Sequence, residues 1–237
     1  MTPKILHNGK SYILYDADRL GNAPDLSFER NELVARGCIL GAAEGRGTTL
    51  FIQHDGQDIA LRHYHRGGFV SRFLADEYFW TGLARTRAWK EWYLLASLHE
   101  MGLPVPEPVA ARVNQQGLVY RADIMTLRIP QAQPVSQTLM QQSLTEKTWQ
   151  SIGACIRRFH EQGVYHADLN ANNILLDNEQ QVFIIDFDRG EIRKPATGWQ
   201  QANIARLLRS LNKIKKNSET FYFSESDWRN LLAGYRG

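Results

Sequence analysis

The chain is short of cysteine. Cys38 and Cys155 are the only two in 237 residues. Their separation matches neither a metal knuckle nor a disulfide framework, so reduced thiols are expected. Long apolar runs are missing as well, which argues against a membrane span. The N-terminal MTPKILHNGK lacks the apolar centre of a signal peptide, and the expectation is a cytoplasmic protein. There is no internal repeat and no low-complexity tract. A large excess of one charge sign is missing too. The net charge is +3 and the pI about 8.9. That is too little to argue for nucleic acid, but it suits a phosphorylated substrate or an anionic membrane surface. What is there is 43% hydrophobic and 22% charged residues, the composition of an ordered globular protein of one or two domains.

The chain divides by pattern. Residues 1–37 read as an irregular segment with strand-like pieces such as SYILY. Residues 38–130 read as β-rich. TTLFIQ and DIALR flank an Asp-Gly turn at Asp55-Gly56, which predicts a hairpin, and the glycine-rich GAAEGRGTT precedes it. In RAWKEWYLLASLHEMG, Trp92, Leu95, Leu98 and Met101 recur at helical spacing, with Gly102 as the stop. LPVPEPV must be extended, and LVYRADI reads as a strand. The stretch RIPQAQPVS reads as a linker to a helical half, residues 131–237. Ser143 to Glu146 (SLTE) has the pattern of a capping box. It precedes a helix with Trp149, Ile152, Ile156 and Phe159 on one face. A second helix carries Ile204, Leu207, Leu208, Leu211 and Ile214, with a basic opposite face.

The chemistry concentrates in VYHADLNANNILLDNEQQVFIIDFDRG, residues 164–190. NILLD and VFIID are short apolar runs separated by Asn178-Glu179-Gln180, which predicts an antiparallel hairpin. Asn173 opens the first strand and Asp186 closes the second, so their side chains lie at neighbouring ends. An amide oxygen beside a carboxylate suits Mg²⁺, a hard cation that takes oxygen ligands together with phosphate oxygens. Asp168 sits on the loop feeding the first strand and can approach the same point without ligating the metal.

His166, Asp168, Leu169 and Asn173, followed by Asp186 and Phe187, resemble the catalytic and metal loops of the protein-kinase-like superfamily. The resemblance implies an α+β, bilobal fold with an antiparallel-sheet N-lobe and a short, mostly helical C-lobe. It makes Asp168 the base that orients the acceptor hydroxyl, and Asn173 and Asp186 the residues that hold Mg²⁺ on ATP. His166 is expected to support the loop. Gly45 and Gly47 fall where a phosphate-covering loop is wanted, although the third glycine of the template is absent. Ile59-Ala60-Leu61-Arg62 matches Val-Ala-Ile-Lys with arginine for lysine. Glu91 is the expected helical carboxylate partner of Arg62, with Glu77 as the alternative. Adenine contacts are expected around Met125 to Ile129.

Only about a dozen residues separate Asp186 from the helix near Trp199, and no Ala-Pro-Glu anchor is present. That favours a non-peptide acceptor. LRHYHRGG, GLPVPEPVAA, YRADIMTLRIP, HADLNANNILL and IIDFDRGEIR together resemble the lipopolysaccharide core kinases. This resemblance implies ATP-dependent phosphorylation of a hydroxyl, the 4-hydroxyl being indicated, of 3-deoxy-D-manno-octulosonic acid (Kdo) on a lipid A precursor. It also implies a peripheral location at the cytoplasmic face of the inner membrane. His63, His65, Arg66, Arg189 and Arg193 could present positive charge to that acceptor. The basic helix from Ile204 to Lys216 could lie on an anionic surface, but its apolar stripe is what any core-packed helix needs. Two residues depart from the peptide-kinase pattern: Asn170 replaces a lysine, and Asp188 replaces the glycine of Asp-Phe-Gly. Asp188 either adds a carboxylate near Mg²⁺ or pairs with Arg189 or Arg62. The alternatives are a compact atypical protein kinase, an aminoglycoside-type phosphotransferase, or a nucleotide-binding scaffold.

Overall fold

The computed structural model describes residues 1–22, 25–43, 49–65 and 76–237. They form two compact units, one of Met1–Ala96 with Glu107–Arg128, the other of Ser97–Pro106 with Ile129–Gly237. The chain is α+β, with the large antiparallel sheet in the first unit and most of the helix in the second.

The first unit is built on strands β1 (Pro3–Asn8), β2 (Ser11–Asp16), β3 (Ile39–Ala43), β4 (Thr49–His54), β5 (Gln57–His63), β6 (Tyr78–Phe79), β7 (Pro108–Gln116) and β8 (Val119–Leu127). The sheet order is β1-β2-β7-β8-β5-β4-β3, with β6 beside β8. The β4–β5 hairpin falls where the Asp-Gly signal puts it. Asp55 and Gly56 both have positive φ (47° and 75°), the backbone that twists a two-residue turn to match its strands. Alternation along β5 sends Ile59 and Leu61 into a core shared with Tyr15, Leu33, Ile52, Val109 and Met125. Arg62 is thereby left on the opposite face.

Residues 1–37 are more regular than their composition suggests. They supply β1 and β2 as well as the short helices α1 (Ala17–Leu20) and α2 (Arg30–Ala35). Leu14 and Tyr15 are fully buried on β2, which pairs with β7. Helix α3 (Arg87–Glu100) buries Trp89, Trp92, Leu95 and Leu98 and stops at Gly102 (φ 69°). The unit boundary falls inside α3, between Ala96 and Ser97.

In the second unit the expected linker is structured. Gln133–Pro134 forms strand β9, and Val135–Gln141 forms helix α4, held by the burial of Val135 and Leu139 one turn apart. Helix α5 (Glu146–Glu161) is capped by Thr145 rather than Ser143. The Thr145 hydroxyl accepts the Thr148 N–H at 3.1 Å, which shifts the helix start two residues from the expected box. Strand β10 (Val164–Tyr165) pairs with β13 (Glu191–Ile192). Strands β11 (Ile174–Leu176) and β12 (Val182–Ile184) form the expected hairpin, with Ile174 opposite Ile184. Asp177 Oδ1 closes its turn by accepting the Glu179 and Gln181 N–H groups. Helices α6 (Thr197–Asn217) and α7 (Glu225–Arg236) complete the unit. Ile204, Leu207 and Leu211 of α6 are buried, so its apolar stripe is used in packing.

Helices α5 and α7 meet backbone to backbone at two glycines. A Cβ on Gly153 would lie 2.0 Å from the Leu231 carbonyl oxygen, and one on Gly234 would lie 2.0 Å from the Gln150 carbonyl oxygen. Neither neighbour is a side chain that can swing aside. Gly153→Ala is therefore expected to cost about 2 kcal/mol or more, read as a lower denaturant midpoint. Gly198→Ala, where an added methyl meets nothing within 4 Å, should leave the midpoint nearly unchanged.

Candidate active site

In the second unit the loop of residues 166–173 is fixed at both ends by its own side chains. His166 is buried. Its Nε2 lies 2.9 Å from the Ile185 carbonyl oxygen, and its Nδ1 accepts the Asp168 N–H at 3.1 Å. These two bonds require the neutral ring with its proton on Nε2. Burial, the largest influence, pushes the His166 pKa down and so favours that neutral form. The imidazole thereby ties the start of the loop to the residue before Asp186. Phe187 packs edge-on against His166, with ring centres 4.8 Å apart, and stacks on Phe159.

The Asp168 carbonyl accepts two amides, from Asn170 Nδ2 at 2.9 Å and Asn173 Nδ2 at 3.0 Å. Both of its lone pairs are then in use, and the backbone that aims the Asp168 carboxylate is held. Asn170 Oδ1 accepts the Asn172 N–H at 2.8 Å, so both ends of the Asn170 amide brace the loop. Asn173 has its nitrogen committed to Asp168, which turns its oxygen to the other side. The Asn173 carbonyl accepts the Ile185 N–H at 3.0 Å, continuing the β11–β12 ladder to the neighbour of Asp186. Asp186 has φ 63°, a conformation uncommon for a residue with a Cβ, and Gly190 N–H closes a turn on the Phe187 carbonyl at 2.7 Å. Asp188 is mostly buried and lies 3.8 Å from Arg189 Nε.

Helix α6 braces the same loop, which the sequence reading missed. Asn203 Oδ1 accepts the His166 N–H at 3.3 Å, while Asn203 Nδ2 donates to the His166 carbonyl at 3.0 Å. Arg206 Nη1 donates to Asp168 Oδ1 at 2.9 Å. The Ser210 hydroxyl oxygen accepts the Ala171 N–H at 3.3 Å. Positions 203, 206 and 210 share one helix face by their spacing of three and four. A polar residue breaking the apolar stripe, Asn203 beside Ile204 and Leu207, was the available signal.

The first unit holds its own constellation. Arg62 Nη2 lies 2.6 and 2.7 Å from the two Glu91 carboxylate oxygens. The Tyr64 hydroxyl donates to Glu91 Oε2 at 2.5 Å. Glu91 is 3% exposed, so a buried carboxylate is matched by a cation and a hydroxyl. Glu77 instead pairs with Arg121 at 3.1 Å. Met125 to Leu127 is the end of β8, with Arg128 N–H bonded to the Asp58 carbonyl. Gly45, Gly47 and Arg66 lie outside the described residues.

Of the expected acceptor-facing cations, His63, His65, Arg189 and Arg193 lie among the described residues. His63 is held by carboxylates, with Nδ1 2.6 Å from Asp123 and Nε2 3.4 Å from Asp76. The Asp123 hydrogen bond raises its pKa, and the resulting charge is neutralised on the spot. Burial and then His63 lower the pKa of His65. Arg193 stacks on Tyr165 at 3.6 Å and pairs with Glu191. Arg189 is 75% exposed.

A polar loop with one outward carboxylate, beside a hairpin that delivers an amide and a second carboxylate, is the constellation of a kinase-like phosphotransferase. The family model for the lipopolysaccharide kinase (Kdo/WaaP) family matches residues 33–235. The chain is 39% identical over 223 residues to a 3-deoxy-D-manno-octulosonic acid kinase of Photobacterium profundum, covering 94% of each chain. It is 39% identical over 228 residues to a protein of that name from Vibrio vulnificus, covering 96% of this chain and 95% of the relative. A Haemophilus influenzae protein of that name is 38% identical over 232 residues, covering 94% and 95%. The chain belongs to the lipopolysaccharide kinase (Kdo/WaaP) family.

Acid should destabilise the packing beneath the loop. Burial pushes the His160 pKa from 6.5 down to about 4, and its Nδ1 sits 2.7 Å from the Tyr235 hydroxyl. Between these two values the unfolded chain takes up a proton that the native state refuses, so stability falls as pH falls through this window. At pH 5 the penalty should be about 2 kcal/mol relative to neutral pH. Thermal unfolding of His160→Gln should show a correspondingly shallower loss of stability between pH 7 and pH 5. His63 acts in the opposite sense, its contribution being full below pH 6.5 and lost as pH rises through its elevated value.

Proposed function

We propose that the protein is an ATP-dependent kinase that phosphorylates the 4-hydroxyl of Kdo on a lipid A precursor, in lipopolysaccharide core biosynthesis. The observation that carries this reading is the Asp168 carboxylate, 43% exposed on a loop whose backbone is braced by its own amides. The names and extent of the curated relatives supply the acceptor.

The acceptor hydroxyl donates to Asp168, which orients the oxygen for in-line attack on the γ-phosphorus and takes its proton as the new P–O bond forms and the bond to ADP breaks. Asp168 is the catalytic residue. Asn173 and Asp186 would hold Mg²⁺. Their donor set fits, being one amide oxygen turned away from its committed nitrogen and one carboxylate, both hard oxygen ligands. When bound, the ion neutralises charge on the phosphate oxygens. Arg62, fixed by Glu91, places permanent positive charge for the phosphates, and Gly45 and Gly47 are assigned to covering them. Asp188 is assigned a second carboxylate near the ion, and Asn170 a bracing role at the loop.

A lipid acceptor places the protein peripherally at the cytoplasmic face of the inner membrane, on an anionic surface. No helix among the described residues is long and apolar enough to cross a membrane. The exposed cations Arg209, Lys213 and Lys216 on α6 suit such contact.

With labelled ATP, Mg²⁺ and Kdo-bearing lipid A precursor, label should move to the lipid and not to generic protein acceptors. Asp168→Ala should lower kcat by about 10²- to 10⁴-fold while ATP binding is kept. Asp186→Asn should raise the Mg²⁺ concentration needed for half-maximal rate. Transfer to protein but not to lipid would reject the acceptor. ATP binding with no transfer to anything would favour a scaffold.

A further inference from the structure

Arg206 binds the candidate base through one nitrogen only. Its Nη1 donates to Asp168 Oδ1 at 2.9 Å, and the side chain is 45% exposed. Among the described residues no second carboxylate lies within ion-pair reach of it. A guanidinium carries five donors in a rigid fork, so one edge engages Asp168 and the other remains available to a second anion.

Its position is set with care. Asn203 grips the His166 backbone from both sides, one turn earlier on α6, and Ser210 takes the Ala171 N–H one turn later. The helix and the loop are thus locked above and below the Arg206–Asp168 pair. Asn203 is 2% exposed, so this lock is buried while the arginine between the two anchors reaches solvent. The cation that peptide kinases carry two residues after the base is absent here. Asn170 stands in its place, with both ends of its amide consumed by the loop.

We infer that Arg206 is an acceptor-binding residue that takes the carboxylate of the sugar acid on its outer edge while its inner edge steadies Asp168. The inference rests on the reading that the acceptor is Kdo. A 2-ulosonic acid in its ring form carries its carboxylate on carbon 2, in a 1,3 relation to the 4-hydroxyl. A planar fork that bridges the base and the sugar carboxylate would present that hydroxyl to Asp168. A neutral sugar lacks the handle, so the same contact selects acid sugars over neutral ones.

The test is a cycle between the residue and the substrate group. Initial rates would be measured for the full-length wild type, Arg206→Gln and Arg206→Lys, each with Kdo-bearing lipid A precursor and with its Kdo methyl ester. For wild type, esterification should lower kcat/KM for the acceptor by about tenfold to a hundredfold, the range of a charge-assisted contact. Arg206→Gln should produce a similar loss on the free acid, mainly in acceptor KM. On the ester the loss should be smaller than on the free acid, being only that of the Asp168 contact. Arg206→Lys should recover part of the acid-over-ester preference, and the KM for ATP should stay unchanged throughout.

Independent, multiplying losses would overturn the acceptor contact, as would a fall in kcat with acceptor KM unchanged. The latter would leave Arg206 as a positioning residue for Asp168 alone. If wild type transfers nothing to the free acid, it is the Kdo reading itself that fails. Activity without coupling to the carboxylate defeats only the role of Arg206.

Discussion

A buried, neutral imidazole holds the candidate site together. His166 donates to the carbonyl of Ile185 and accepts from the N–H of Asp168, so one ring joins the loop that carries Asp168 to the strand end that carries Asp186. The pair of bonds does not survive double protonation of the ring, because Nδ1 would then present a proton to another proton. Burial holds the ring neutral and so protects the geometry. Phe187 packs against the ring and Asn203 grips its backbone, so the imidazole is held from both sides. The histidine contributes rigidity to the loop.

The remaining polar groups of the loop follow from this joint. With the His166 end fixed, the chain must turn back within a few residues to enter β11 at Ile174. Such a turn exposes carbonyls and N–H groups that water would otherwise solvate. Two asparagines absorb part of this need. Asn170 and Asn173 both donate to the Asp168 carbonyl, and Asn170 Oδ1 takes the Asn172 N–H. The Asn172 side chain in turn accepts the Ser136 hydroxyl at 2.6 Å. An asparagine offers donor and acceptor at once and tolerates turn geometry, which is why amides rather than carboxylates crowd this stretch. Asp168 is left as the anionic side chain of the loop, and its counter-charge arrives from α6 instead of from the loop.

Much of this was legible in advance, for a physical reason. Hairpin ends are fixed by two-residue periodicity and turn chemistry, so placing Asn173 beside the end of VFIID needed only local rules. The pairing of Arg62 with Glu91 was also readable, since strand alternation and helix spacing put one residue of each element in place. What stayed hidden was long-range or masked by composition. Arg206 lies 38 residues from Asp168 and reads as one of several solvated cations on a basic face. His63 reads as an available charge until Asp123 and Asp76 arrive from other parts of the chain. Helix α4 was obscured by Pro134 and by a polar surround, because a seven-residue helix has too few turns to declare a period.

The arginine at position 62 is the departure from the kinase pattern that most needs a physical account, and its surroundings supply one. Lysine offers a point charge on a flexible stem, whereas arginine offers a plane. Here Nη2 of that plane meets both oxygens of Glu91, and the ring of Tyr64 lies 4.7 Å from the guanidinium carbon. The tyrosine hydroxyl reaches the same carboxylate, so its face engages the cation while its edge group engages the anion. Arginine and tyrosine both bond Glu91, and the cation is fixed in direction as well as in charge. A guanidinium held this way by Glu91 and Tyr64 is already ordered in direction, which a lysine ammonium on a flexible stem would not be.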